Sequence, residues 1–262
     1  MRKSMYFVFA LALAATAVIY SCQKESDEEP VLELSLIDGP TDYQEVNIQV
    51  IGAEVKVKKA LDGSEGWRPL TVQTGIINIL SLTNGVEHLL STTRLPVGDI
   101  SEVRLKLGQS NTVKVMNVVH PLNFDEKNDS ASLKLEFKKK IVAGTTYRAT
   151  LDFDADKSIK VDSSNRASIK YHMKPKLRLI TDANNGSIRG ELTGSCGATI
   201  RAIRGVDTVT TFPTAGKFLL PGLASGTYAI QVKSQSPCRD TTIQNVKVEV
   251  GKATELGKIK NN

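Results

Sequence analysis

The strongest constraint on the fold is a period-two alternation of apolar and polar residues, repeated in short runs along much of the chain. Leu32-Glu33-Leu34-Ser35-Leu36, Val46-Asn47-Ile48-Gln49-Val50, Val55-Lys56-Val57, Val103-Arg104-Leu105-Lys106-Leu107 and Leu133-Lys134-Leu135-Glu136-Phe137 each put their apolar side chains on one face. That is the mark of a half-buried strand. Turn clusters such as Asp38-Gly39-Pro40, Leu61-Asp62-Gly63 and Asn84-Gly85 separate the runs, as antiparallel connections require. Ile76 to Leu82 is almost continuously apolar and reads either as a fully buried strand or as one short helical turn. No long window carries a helical stripe, so the runs imply sheets packed as a sandwich or barrel.

A polar, turn-rich stretch, Asp182-Ala183-Asn184-Asn185-Gly186-Ser187, divides the chain. We place one domain at 31–180, a linker at 181–186 and a second domain at 187–262. The second repeats the rhythm on a smaller scale, with strands expected at Ser187 to Leu192, Ala198 to Arg204, Thr208 to Phe212, Lys217 to Leu220, Thr227 to Val232 and Thr241 to Val250. The expected fold class is therefore all-β: two antiparallel β-sandwich domains in tandem, the C-terminal one immunoglobulin-like (prealbumin-like).

The N-terminus has a separate logic. Arg2 and Lys3 precede an apolar run from Met5 to Tyr20, the layout of a secretory signal peptide, and the run is shorter than the ~20 residues a membrane-spanning helix needs. Ile19-Tyr20-Ser21-Cys22 resembles the bacterial lipobox, with Tyr20 where that pattern prefers a small or β-branched residue. The resemblance implies cleavage after residue 21 and lipid attachment at Cys22, with acyl chains each adding ~0.8 kcal/mol per buried methylene. Residues 22–30 follow as an acidic tether, Gln23-Lys24-Glu25-Ser26-Asp27-Glu28-Glu29-Pro30, with nothing to bury. Acids directly behind a lipidated cysteine also resemble a signal for the outer leaflet of the outer membrane; the alternatives are a plain solvated spacer and the periplasmic face.

Removing residues 1–21 takes away Arg2 and Lys3 but no acid, so the formal charge falls from +6 to +4. Its cations lie in strand-like runs (Lys56, Lys58, Lys59; Lys138, Lys139, Lys140) without interleaved aromatics, which argues for solvated strand faces and against a nucleic-acid groove.

Both domains carry resemblances. Gly190, Gly197-Ala198-Thr199-Ile200, Ala215-Gly216-Lys217-Phe218 and Leu220-Pro221-Gly222-Leu223-Ala224-Ser225-Gly226-Thr227-Tyr228 resemble the carboxypeptidase regulatory-like and collagen-adhesin B-type families, which implies a stalk, spacer or binding accessory. Leu36-Ile37-Asp38-Gly39-Pro40, Tyr43, Trp67, Leu95-Pro96-Val97-Gly98, Val103-Arg104-Leu105 and Leu151-Asp152-Phe153-Asp154-Ala155-Asp156-Lys157-Ser158 resemble a lipoprotein domain family of Gram-negative bacteria whose function is unknown. That implies an exported β-domain and no activity.

Few residues suggest chemistry. Asp152, Asp154 and Asp156 alternate; on a strand they would share a face and suit calcium, or else accept backbone hydrogen bonds at a strand end with Lys157 as partner. Asp38 and Asp42 beside Pro40 read as turn residues. Cys196 and Cys238 are an even pair in a compartment that permits disulfides, and we expect them to be bonded. His88, His120 and His172 are too scattered for zinc. Gly194-Ser195-Cys196-Gly197 lacks the strand-to-helix context of a nucleophile elbow, and no phosphate or dinucleotide loop is present.

The sequence thus predicts no enzyme and no cofactor beyond the calcium candidate. It predicts a membrane-anchored surface lipoprotein with a structural or adhesive role, its partners a surface or matrix protein. The alternative is a carbohydrate-binding accessory. Sugar platforms need exposed aromatics; only 5% of the chain is aromatic, and Trp67 beside Gly66 is the one obvious candidate for ligand binding.

Overall fold

The computed structural model describes residues 28–124, 131–164 and 169–261. The signal peptide, Cys22 and the tether as far as Asp27 lie outside the described residues. Thirteen strands build the first domain: β1 (Val31–Asp38), β2 (Glu45–Ala60), β3 (Gly66–Pro69), β4 (Gly75–Asn78), β5 (His88–Arg94), β6 (Gly98–Leu107), β7 (Thr112–Val115), β8 (Val118–Phe124), β9 (Ala131–Ile141), β10 (Thr146–Phe153), β11 (Ile159–Asp162), β12 (Lys170–Met173) and β13 (Leu177–Ile180). One four-stranded sheet runs β13-β10-β1-β5, and a nine-stranded sheet runs β11-β12-β8-β7-β2-β6-β9 with β3 and β4 paired to β2.

Alternation explains the packing between them. Leu32, Leu34 and Leu36 of β1 and Leu151 and Phe153 of β10 face Val46, Ile48 and Val50 of β2 and Val103, Leu105 and Leu107 of β6, all completely buried. Each such side chain contributes about 1.5–3 kcal/mol by leaving water. The two expected strands at 46–50 and 55–57 are one strand, β2. Register shifts around Gly52 move its inward set from Val46, Ile48 and Val50 to Ala53, Val55 and Val57, because a bulge adds one residue and flips the alternation. Ile76 to Leu82 is not a fully buried strand: its first part lies in the short strand β4, where Ile76 is exposed, and Ile79–Leu82 forms the expected short turn, a 3₁₀ turn capped by Asn78.

The second domain has its own core. Its strands are β14 (Asn185–Thr193), β15 (Ala198–Arg204), β16 (Asp207–Thr211), β17 (Lys217–Ala224), β18 (Gly226–Ser234), β19 (Thr241–Val248) and β20 (Ala253–Lys260). They form sheets β17-β14-β20 and β16-β15-β18-β19, which enclose Ile188, Ile200, Phe218, Leu220, Ile230 and Val232. The linker is shorter than the expected 181–186: Asn185 and Gly186 already pair with Ala224 and Leu223.

Both domains are all-β sandwiches, antiparallel in the main. Three pairs depart from that pattern and are parallel, β1–β10, β8–β12 and β14–β20. Parallel neighbours need a long crossover, and each of these is joined through intervening strands.

Candidate functional site

The domains meet along the free edge of β17. Asn84, in the turn before β5, uses its side-chain amide as a strand would: Oδ1 accepts from Leu219 N–H at 2.8 Å, and Nδ2 donates to the Lys217 carbonyl at 3.2 Å. Its φ of 58° lies in the left-handed region that Asn tolerates better than most residues. Further along the same edge Arg178 of β13 donates from Nη1 to Gly222 O at 2.9 Å and from Nη2 to Pro221 O at 3.2 Å. Its Nε donates to Asp152 Oδ2, so one guanidinium ties a buried carboxylate of the first domain to two carbonyls of the second. Burial raises the Asp152 pKa above the ordinary carboxylate value, and Arg178 opposes that rise.

Next to this seam opens a cleft of about 730 Å³. Its first wall includes Asp38, Asp154, Asp156 and Lys176; its second includes Arg201, Arg204 and the whole of β16. Asp38, expected as a turn residue beside Pro40, is instead the last residue of a strand. It ends β1 only 4% exposed, with Oδ1 accepting from Ala155 N–H at 3.1 Å and Oδ2 without a hydrogen-bond partner among the described residues. Burial, reinforced by the charges of Asp152 and Asp154, pushes its pKa up to about 9 against the Ala155 hydrogen bond, so it is a neutral acid at physiological pH.

Asp152, Asp154 and Asp156 do not share a strand face as the calcium reading required. The strand ends at Phe153; Asp154 then caps the short helix α1 (Ala155–Ser158), accepting from Lys157 N–H at 2.9 Å and from Lys157 Nζ at 2.7 Å. Asp152 is bound to Arg178, and Asp156 lies exposed on α1. Among the described residues no group of three or more His, Cys, Asp or Glu side chains is placed to hold a metal ion. His88 is on β5 in the four-stranded sheet, whereas His120 and His172 are on the neighbouring strands β8 and β12, where His120 packs against Tyr171 with ring centroids 4.9 Å apart.

Trp67 is half-buried and carries a cation on its ring. β3 pairs Trp67 with Lys56, and the indole lies where β6 and β9 bring Arg104 and Lys134. The Arg104 guanidinium sits 4.0 Å from the ring centroid, with Lys56 and Lys134 ammoniums at 5.7 and 5.9 Å. Arg104 is itself paired with Glu54, so a sugar ring stacking there would have to displace an anchored cation. Cys196 and Cys238 form a disulfide that joins the start of β15 to the loop after β18. Cys22 lies outside the described residues.

Sequence reasoning passed over Asn84, Arg178 and the burial of Asp38. Asn84-Gly85 was legible as a turn, and nothing local announces that Asn84 reaches a second domain.

Fold and cleft together define a tandem β-sandwich protein with an interdomain groove. The family described as "Domain of unknown function (DUF4382)" matches residues 31–175, more than half of the chain, and the chain belongs to that family. No curated protein matches it. Among solved structures the Bacillus anthracis TIE protein is similar at 12% identity and a TM-score of 0.25, over 94% of this chain and 43% of that one. GBS52, the minor pilin of the Gram-positive pathogen Streptococcus agalactiae, is similar at 10% identity and a TM-score of 0.23, over 87% and 94%. Scores this low establish neither a common fold nor a shared role. Among the described residues no helix is long and apolar enough to cross a membrane.

Proposed function

We propose that this protein is an exported lipoprotein, held to the outer membrane by lipid on Cys22, whose two docked sandwiches act as a non-catalytic binding or structural unit at the cell surface. The observation that carries the exported reading is the Cys196–Cys238 disulfide, since such bonds persist in oxidising compartments outside the cytosol. It agrees with the Arg2-Lys3 start, the apolar run and the acidic tether. The non-catalytic reading is supported by the ion pairs that hold two of the cleft's carboxyls, Asp152 to Arg178 and Asp154 to Lys157.

Adhesion to a protein is favoured over a glycan-binding role. Trp67 is covered by Arg104, and Tyr228, which lines the cleft, lies under Arg204 with its hydroxyl donating to Ala224 O. A sugar stacking on the covered face of either ring would have to displace an arginine. The test is to screen the purified chain from residue 23 onward on a glycan array and on matrix proteins, beside Trp67→Ala. The proposal predicts no glycan signal that depends on Trp67; glycan binding abolished by Trp67→Ala would overturn it in favour of a carbohydrate-binding accessory.

A further inference from the structure

Every sheet has two edges, and the edges of these sheets are not treated alike. β9, eleven residues long, carries Lys134, Lys138, Lys139 and Lys140, the charged guard that keeps exposed edges from pairing with other chains. β17 holds Pro221, and its free groups are taken by Asn84 and Arg178. β16 carries no such guard along Asp207–Thr210; only its last residue, buried Thr211, is tied across the seam, its hydroxyl donating to Asn84 Oδ1 at 3.4 Å. The strand is the edge of β16-β15-β18-β19 and reads Asp207-Thr208-Val209-Thr210-Thr211, four β-branched residues with no lysine and no proline. Among the described residues its backbone bonds only to β15. The whole strand lines the interdomain cleft.

The cleft's other features narrow what could lie against it. Asp154 is paired with Lys157, and Asp152 with Arg178. Asp156 and Asp207 remain against Lys176, Arg201 and Arg204, so the opposing charges come close to cancelling and select neither a polyanion nor a polycation. The one aromatic ring in the lining, Tyr228, is covered by Arg204, which leaves no stacking platform for sugars. What the groove does offer is a row of unpaired backbone donors and acceptors, flanked by the hydroxyls of Thr208 and Thr210.

From this we infer that the cleft is a docking groove for an extended peptide segment of a partner protein, which adds to the edge of β16 as a further strand. Main-chain hydrogen bonds supply the affinity in this mode, and side-chain pockets on alternate residues supply the selectivity. The four residues short of buried Thr211 offer about 13 Å of pairing at ~3.3 Å per residue. Asp156 and Lys176 of the first domain and Arg201 of the second line the same cleft, so a peptide that carries charges of both signs fits best. The inference rests on the exposed part being a binding unit; it does not depend on the lipid at Cys22 and would survive a failure of that assignment.

The test uses the chain from residue 23 onward against a displayed library of random twelve-residue peptides. Enriched peptides are resynthesised with single N-methyl groups at each position. Strand addition predicts at least tenfold weaker binding at every second residue and little change between, because only alternate amides face β16. It also predicts slowed amide hydrogen exchange within residues 207–211 when the peptide is bound, and loss of binding in Thr210→Lys with the thermal unfolding midpoint kept. No enriched peptide, an N-methyl profile without period two, or protection confined to another strand would each overturn the inference. So would concentration-dependent dimerisation that Thr210→Lys abolishes, which would make a second copy of this chain the occupant of the edge.

Discussion

Arg178 and Gly222 join the two domains through a 2.9 Å hydrogen bond from the guanidinium to a main-chain carbonyl. The glycine is required there for two reasons. Its φ is +67°, and a Cβ at that position would lie 2.4 Å from Cδ1 of Ile180. Gly222→Ala should therefore cost ~1–2 kcal/mol for the left-handed backbone alone, plus the displacement of Ile180 from the seam. Urea unfolding should show a lower midpoint, and the radius of gyration from X-ray scattering should rise as the domains part. An unchanged radius would contradict the docking described here.

Arg178→Met tests the same seam from the other side. Removing the guanidinium leaves Asp152, only 8% exposed, without its counter-ion. A buried pair broken on one side costs about 3–5 kcal/mol, and the partial exposure of Arg178 reduces that toward ~1–3 kcal/mol by solvent screening. The double variant with Asp152→Asn should recover part of the loss, because the stranded charge goes with it. A double variant less stable than Arg178→Met would argue that the two side chains act independently.

Asp38 gives the domain a pH dependence of definite sign. The folded chain holds this proton up to about 9, whereas the unfolded chain releases it near the ordinary value of 3.8. Its contribution to stability is full below pH 4 and declines as pH rises toward 9. Asp38→Asn keeps an oxygen to accept from Ala155 N–H and cannot ionise. The difference in melting temperature, variant minus wild type, should grow steadily more positive between pH 5 and pH 9 in calorimetry. A difference independent of pH would place the Asp38 carboxyl in contact with water.

The disulfide closes a loop with a sequence separation of 42, which in the chain-entropy description stabilises the folded state by ~4 kcal/mol. Cys196→Ser with Cys238→Ser should lower the unfolding midpoint of the second domain and leave that of the first unchanged, since the two cores are separate. Tryptophan fluorescence reports the first domain alone through Trp67, the one tryptophan of the chain. Far-ultraviolet circular dichroism follows both.

Much of the fold follows from alternation, and the places where alternation misleads have local causes. β20 was not expected because Leu256 and Ile259 lie three apart around Gly257. A φ of +65° and a register shift against β14 mark a bulge there, so the strand is regular in space and irregular in sequence. The Asp152-Asp154-Asp156 alternation continues past the end of its strand, and a repeat of acids cannot by itself reveal where the backbone turns into α1. The seam was the least legible part. Asn84 meets Leu219 from 135 residues away and Arg178 meets Gly222 from 44, and pairings that distant leave no periodic trace. Trp67 was legible as a rare aromatic but not as a covered one, since Arg104 and Lys134 reach it only once β2, β6 and β9 lie side by side.

Cys22 is the residue on which the proposed membrane anchoring turns. Cells producing the protein are grown with labelled palmitate, fractionated, and compared with cells producing Cys22→Ala. The account predicts label on the wild-type chain, recovery of that chain with the outer membrane, and loss of both in the variant. A Cys22→Ala chain that stays with the membrane, or a wild-type chain that takes up no label, would contradict it.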